Sequence, residues 1–137
     1  MLKIGGYINI LIAMAHIIGL FWAEQLFEKT GAGEGMKELT QIHYSLPYLL
    51  TVFVAIIFTV FGIYGLFADS KTRKLPFLKF GIFTIAFIYL IRAIGEQSYN
   101  IFIGTTTRSE TIQSIVALTI GLLFLFGGLK KWKLKKE

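Results

Sequence analysis

The sequence contains no cysteine, two prolines and two histidines, and only 16% of its 137 residues are charged. Soluble domains carry about 25% charged residues. Without cysteine the chain has no disulfides, no thiolate nucleophile and no cysteine-ligated metal site. Hydrophobic residues make up 55% of the chain, and a soluble protein this small could not bury so much apolar surface. The composition therefore indicates a membrane protein, in which lipid surrounds the apolar faces.

Four apolar runs of 18 to 22 residues occur at 4–23, 47–68, 76–95 and 112–129. About 20 residues of helix cross a hydrocarbon core of ~30 Å, and backbone polar groups must be satisfied within each segment, which favours helices over strands. We predict an all-α, single-domain (1–137) integral membrane four-helix bundle of up-down-up-down topology. Its helices are expected at about 4–28, 46–68, 76–98 and 110–130. The first run continues past the small residues at 13–15, so we interpret it as a span and not as a cleaved signal peptide.

The three connections differ in length and polarity. Residues 69–75 predict a tight polar turn, whereas the first connection, 24–46, begins as an amphipathic continuation of helix one. It then meets a glycine-rich stretch at 31–35, which disfavours helix, and a short surface helix is expected at 36–42. The third connection, 96–110, is expected to be partly irregular.

The basic residues predict how the helices are oriented. Ten lysines and arginines lie with the N-terminus, the second connection and the C-terminus, and three lie on the other side. By the positive-inside rule the ten-residue side is cytoplasmic, so both termini are expected there. Six of the eight acidic residues lie toward the opposite side. The net charge of +6 therefore reflects membrane topology and not a nucleic-acid partner.

Polar residues within the apolar runs are costly in lipid and usually face the interior of a bundle. Helical spacing places each helix's polar residues on one face, and a rise of 1.5 Å per residue puts His16 and Arg92 about 20 Å from the cytoplasmic boundary. We predict an outward-opening polar pocket over an apolar floor. Its main residues are His16, Tyr48, Arg92, Glu96 and Gln113, and its secondary residues are Asn9, Glu24, Tyr44, Thr51 and Tyr89.

Each of these residues also has a purely structural interpretation. Arg92 can pair with Glu96 one turn away on the same helix. His16 can be a packing residue that hydrogen-bonds a hydroxyl of helix two. Tyr44 and Tyr48 also fit the aromatic belt at a membrane interface. The tail at 130–136, with five lysines and a tryptophan, fits a stop-transfer anchor or a contact with anionic lipid head groups.

Several chemistries find little support in the sequence. His16, His43, Glu24 and Glu96 lack a compact metal-ligand spacing. The two histidines are expected at different depths, which disfavours haem, so no metal or cofactor is predicted. Ser45 beside His43, or Ser114 beside His16, would make an unspecific nucleophile–base pair. The chain matches small multidrug exporters in size and helix number, but His16 stands where they carry a glutamate, and its charge bias favours one orientation.

The segment Leu-Ile-Arg-Ala-Ile-Gly-Glu at 90–96, together with His16 and the proline-started second helix at 45–48, resembles small bacterial four-helix membrane families of unknown function. More distantly, it is similar to the DoxX-like group. The resemblance spans helices one to three and singles out Arg92 and Glu96. It implies a four-helix membrane fold and no particular activity.

Three functions follow as hypotheses. The first is a non-catalytic protein of the bacterial inner membrane that binds a small polar or amphipathic ligand, with Arg92 facing an anion. The second is an enzyme acting on a lipid-soluble substrate, with His16 as acid or base and Arg92 and Glu96 as orienting charges. The third is a structural or assembly subunit whose polar cluster only fixes helix register. Membrane lipids, a small ligand, and a second copy or a larger membrane complex are the expected partners.

Overall fold

The computed structural model describes residues 1–30, 33–71, 75–104 and 107–133, and these residues form helices and connecting turns without a strand. Within these residues, four helical segments are long and apolar enough to cross a membrane, as expected of a multi-pass membrane protein. The helices are α1 (Leu2–Gly19), α2 (Ala23–Thr30), α3 (Gly33–Ile42), α4 (Leu46–Phe67), α5 (Leu78–Ile103) and α6 (Arg108–Lys133). A single 3-10 turn, Leu20–Trp22, joins α1 to α2, and together they form the first candidate span, Leu2–Lys29.

The bounds of α5 differ at both ends from the predicted 76–98. The helix begins at Leu78 and not at Pro76, because Phe77 adopts a left-handed backbone conformation with φ of 49°. It then continues to Ile103 and ends at Gly104, whose φ of 68° suits a helix C-cap. Residues 99–103 are therefore helical beyond the predicted end of the helix, where a partly irregular connection was expected. The predicted irregular residues at 105–106 lie outside the described part of the chain.

The first connection is more helical than its glycines indicated. The predicted surface helix at 36–42 exists but starts earlier, since Gly33 and Gly35 belong to the first turn of α3. The other glycine-rich positions, 31–32, and residues 72–74 of the predicted polar turn lie outside the described residues.

Glycine allows α1 and α4 to approach each other closely. A Cβ atom at Gly6 would lie 2.7 Å from the backbone nitrogen of Leu66 and 2.9 Å from the carbonyl oxygen of Gly62. A Cβ at Gly65 would lie 2.8 Å from the Cα of Gly6. Small residues commonly bring helix backbones together in membranes, where van der Waals packing drives helix association. Because the start of α1 meets the end of α4, the two helices are antiparallel.

The second pair, α5 and α6, is also antiparallel. Gly121 faces Leu90 near the middle of the pair, and Gly128 faces Ile82 near one end. The core between the pairs is mainly apolar, with the side chains of Ile82 and Phe124 fully buried and Ile120 nearly so. Phe124 also lies against Gly5 of α1, so α6 joins the two pairs.

At the end of the molecule where α4 and α6 terminate, a lysine links the two helices. Lys131 donates hydrogen bonds from Nζ to the Ala68 carbonyl oxygen and, at 2.7 Å, to Asp69 Oδ1. Trp132 packs against Phe83, with ring centroids 5.7 Å apart. Two other lysines of the predicted basic tail, at 135 and 136, lie outside the described residues.

Candidate functional site

A cavity of about 510 Å³ lies among the four long helices, at the end where α2 and α3 are found. Ligand-binding cavities commonly have volumes of ~300–1,000 Å³, apolar walls and a few polar groups. The walls here are mainly aliphatic and aromatic, and α1, α2, α3, α4, α5 and α6 all contribute to them. The apolar lining residues are Ile12, Phe27, Met36, Leu50, Val54, Phe58, Ile112, Val116, Ala117 and Ile120.

Five polar side chains lie on the wall of this cavity, and all five are among the residues singled out in the sequence: His16, Thr51, Tyr89, Arg92 and Gln113. One helical face of each long helix supplies them, which is why periodicity located them. The predicted character of the pocket is only partly right, however. The side chains between these polar groups are apolar, so the cavity is an apolar chamber with a few polar points and not a polar pocket.

Arg92 is the only charged side chain on this wall in the described chain. Its Nε lies 3.4 Å from Glu96 Oε2, one helical turn away on α5, so the pair predicted from their spacing is present. Glu96 itself does not line the cavity. The guanidinium has no other hydrogen-bond partner among the described residues, so its two terminal amino groups remain available. The cavity wall is therefore positively charged at Arg92.

Tyr89 connects the wall of the cavity to the core beneath it. Its hydroxyl donates a hydrogen bond to Oδ1 of Asn9, a fully buried residue of α1, whose Nδ2 donates to the Gly5 carbonyl oxygen at 2.8 Å. Asn9 does not line the cavity. Its side chain thus joins α1 to α5 across the bundle, and its part in the predicted site is to hold Tyr89.

The other polar side chains on the wall bond mainly within their own helices. His16 donates from Nδ1 to the Ile12 carbonyl oxygen at 2.8 Å, because a carbonyl can only accept, and this contact replaces the expected bond to a helix-two hydroxyl. Its ring also lies 5.1 Å from that of Phe58. Thr51 donates to the Pro47 carbonyl oxygen at 2.8 Å. Because the neutral His16 ring carries its proton on Nδ1, its Nε2 atom is a hydrogen-bond acceptor.

Gln113 lies opposite these residues, on α6. Its Nε2 donates to Ser109 Oγ at 3.2 Å, within the same helix. The neighbouring Ser114 is buried and does not line the cavity, and its hydroxyl has no hydrogen-bond partner in the described chain. The structure therefore does not bring Ser114 and His16 together through a hydrogen bond.

Three predicted residues lie in a second cavity of about 580 Å³, which we call the vestibule. It lies between α2, α3 and the start of α4, and Glu24, Tyr44 and Tyr48 line it. None of these three lines the inner cavity. Tyr48 was predicted as a main pocket residue, and the structure separates it from His16, Arg92 and Gln113.

Phe27 and Met36 line both the inner cavity and the vestibule, and the predicted site did not include them. Phe27 also lines a third cavity of about 210 Å³ beside His16. A signal for them was present in the sequence, since each is an apolar residue among charged neighbours in the amphipathic first connection. That pattern predicts a helix with one face on an apolar surface. It does not show which surface the face covers.

Among the described residues, no group of three or more histidine, aspartate or glutamate side chains is arranged to hold a metal ion. The proposed pair of His43 and Ser45 does meet, with Ser45 Oγ 2.7 Å from His43 Nδ1. The Ser45 backbone N–H also donates to Nδ1, at 3.3 Å. Both contacts span two residues in the turn between α3 and α4, so they close that turn.

No family model, curated protein or solved structure matches this chain. The resemblance of 90–96 to DoxX-like proteins therefore stays a prediction.

Proposed function

We propose that this chain is a non-catalytic membrane protein that holds a small amphipathic ligand in the cavity among its four long helices. The observation that supports this most directly is the composition of the cavity wall. An apolar chamber of about 510 Å³ has room for the apolar part of such a ligand, and Arg92, His16 and Gln113 offer polar contacts on its wall. An intramembrane arginine is costly to keep and commonly marks a functional site.

The proposal includes an up-down-up-down bundle with both termini in the cytoplasm and the cavity toward the outer face of a bacterial inner membrane. The distribution of lysine and arginine supports this orientation. The third helix is expected to run outward, which brings Arg92 to the outer half of the membrane. A second copy or a larger complex remains an expected partner.

Native mass spectrometry of the protein extracted with its lipids in a mild detergent tests the proposal. We expect a bound small molecule in the wild type, and its loss in Val116→Phe, which fills the cavity from α6. Leu118→Phe is the matched control, because Leu118 is on the same helix and outside the cavity. An equal amount of bound small molecule in the wild type and in Val116→Phe, including none in either, would refute ligand binding in this cavity.

The structural alternative is favoured by one observation, the buried hydrogen bond between Asn9 and Tyr89. It supports a packing role for those two residues, and it does not involve Arg92, His16 or Gln113. The enzyme alternative, with His16 as acid or base, stays a prediction.

A further inference from the structure

We infer that the ligand of this cavity is an anionic amphiphile, with an apolar body and a carboxylate or phosphate group that pairs with Arg92. The inference rests on the proposed function and adds the chemical class of the ligand. Carboxylate and phosphate share the geometry that a guanidinium recognises, two oxygens that accept parallel N–H bonds.

The first argument is the balance of charge on the wall. Arg92 is the only charged group that lines the inner cavity within the described residues, while its partner Glu96 lies outside the lining. Only Nε of the guanidinium contacts Glu96, at a long 3.4 Å, and 47% of the arginine side chain is exposed. An i,i+4 pair of this kind contributes only ~0.2–0.5 kcal/mol in isolated helices. Glu96 therefore competes only weakly with an anion that reaches the terminal amino groups of Arg92.

The second argument concerns the other polar groups. Thr51, Tyr89 and Gln113 already use a donor within the protein, and His16 uses its Nδ1–H. Arg92 is thus the strongest hydrogen-bond donor left on the wall. A ligand with a cationic polar end would be repelled by the positive charge of Arg92. No carboxylate among the described lining residues would offset that repulsion.

The third argument is the shape of the apolar space. Beside Arg92 of α5, the lining extends along one face of α6 through Ile112, Val116 and Ile120. A volume of 510 Å³ equals that of roughly 17 water molecules in the liquid at ~30 Å³ each. An inorganic anion alone would leave this apolar space unfilled, whereas a single short alkyl chain would occupy it.

The experiment is thermal unfolding of the full-length protein in a non-ionic detergent, followed by tryptophan fluorescence. The probes are decanoate, decyl phosphate, decanol, decyltrimethylammonium and inorganic phosphate at matched concentrations. A ligand that binds only the folded state raises Tm in a concentration-dependent way. We expect decanoate and decyl phosphate to raise the Tm of the wild type, with a much smaller effect of the other three.

Arg92→Gln should weaken the apparent affinity for both anionic amphiphiles by roughly ten- to hundredfold, the range for a lost charge-assisted hydrogen bond. Arg108→Gln is the control, since Arg108 begins α6 and does not line the cavity. Glu96→Gln removes the competing carboxylate and should tighten anion binding by about twofold. This gain also separates a ligand-binding arginine from a structural one, and it keeps the test decisive if Arg92→Gln does not fold.

Equal stabilisation by decanol and decanoate would overturn the inference, and so would anion binding that Arg92→Gln leaves unchanged. Inorganic phosphate as effective as decyl phosphate would identify a free anion and contradict the amphiphile. If decanol and decanoate act equally and both lose their effect in Val116→Phe, the proposed function stands and only the anionic class fails. If no probe changes Tm, or Val116→Phe changes no response, the proposed function fails as well.

Discussion

Tyr89→Phe removes one hydroxyl and leaves the Oδ1 atom of Asn9 buried without its donor. Because that hydrogen bond joins α1 to α5, we expect the free energy of unfolding to fall by about 1 kcal/mol, near the middle of the range for such bonds in membrane proteins. Unfolding in mixed detergent micelles with increasing SDS measures it. Tyr99→Phe, on the exposed side of α5, should change it little. A similar loss from both variants would contradict a structural role of this bond.

At the scale of single residues, the sequence predicted positions better than partners. His16, Arg92 and Gln113 were expected at one level because helical rise and spacing are regular, and they line one cavity. Their hydrogen bonds were harder to predict. His16 bonds its own helix, since the Ile12 carbonyl is always within reach, whereas a hydroxyl on another helix depends on how the two helices are rotated.

The contact between α1 and α4 gives a prediction for whole elements. In Gly6→Ala the added methyl group would meet backbone atoms of α4 at 2.7 to 3.0 Å, and backbone cannot move aside as a side chain can. We expect a loss of about 1–3 kcal/mol in the free energy of unfolding, typical of overpacking. Gly95→Ala is the matched control, because a Cβ there meets nothing within 4 Å. It should be neutral or stabilise the helix by up to ~1 kcal/mol.

Equal free energies of unfolding for Gly6→Ala and Gly95→Ala would contradict the close approach of α1 and α4. The same unfolding assay in mixed micelles measures both variants, so the two substitutions differ only in their surroundings. The result also tests whether the first helix pair is held by backbone proximity.

The amphipathic elements α2 and α3 give a second prediction. Phe27 separates the inner cavity from the vestibule, so Phe27→Ala should open a passage between them. The chain has no cysteine, so a single Val116→Cys thiol reports access to the inner cavity. We expect a water-soluble thiol reagent to label it several times faster in the Phe27→Ala background, in nanodiscs. Leu118→Cys, outside the cavity, should label at the same rate in both backgrounds.

Unchanged labelling of Val116→Cys would mean that Phe27 does not limit access to the cavity. The reagent is small and charged, so its rate depends on water reaching the thiol and not on ligand affinity. This outcome would leave the ligand-binding proposal untouched.

At the level of elements, hydropathy was sufficient for the four long helices and their order. It could not predict that α5 begins at Leu78, because hydropathy carries no signal for the left-handed conformation of Phe77. It also could not assign Phe27 and Met36 to the site. Their amphipathic pattern shows an apolar face, and only the fold brings that face over the inner cavity.

For the whole molecule, the lysine distribution predicts the orientation in the membrane. Single cysteines at Gly35 and Lys71 report the two sides, since both residues are exposed, Gly35 in α3 before the start of α4 and Lys71 after its end. In intact cells a membrane-impermeant maleimide should label Gly35→Cys and leave Lys71→Cys unlabelled until the cells are broken. The reverse pattern would show that the termini lie outside and that the cavity faces the cytoplasm.

The pairing of the helices has a consequence for biosynthesis. Every residue of the contact between α1 and α4 belongs to the first 67 of the chain, so this pair can assemble in the translocon before α5 has been synthesised. During that interval Tyr89 does not yet exist, so the Asn9 Oδ1 atom lacks the donor that it has in the folded protein. An unsatisfied polar group is costly in lipid. We therefore expect the nascent first hairpin to remain in the translocon until α5 emerges.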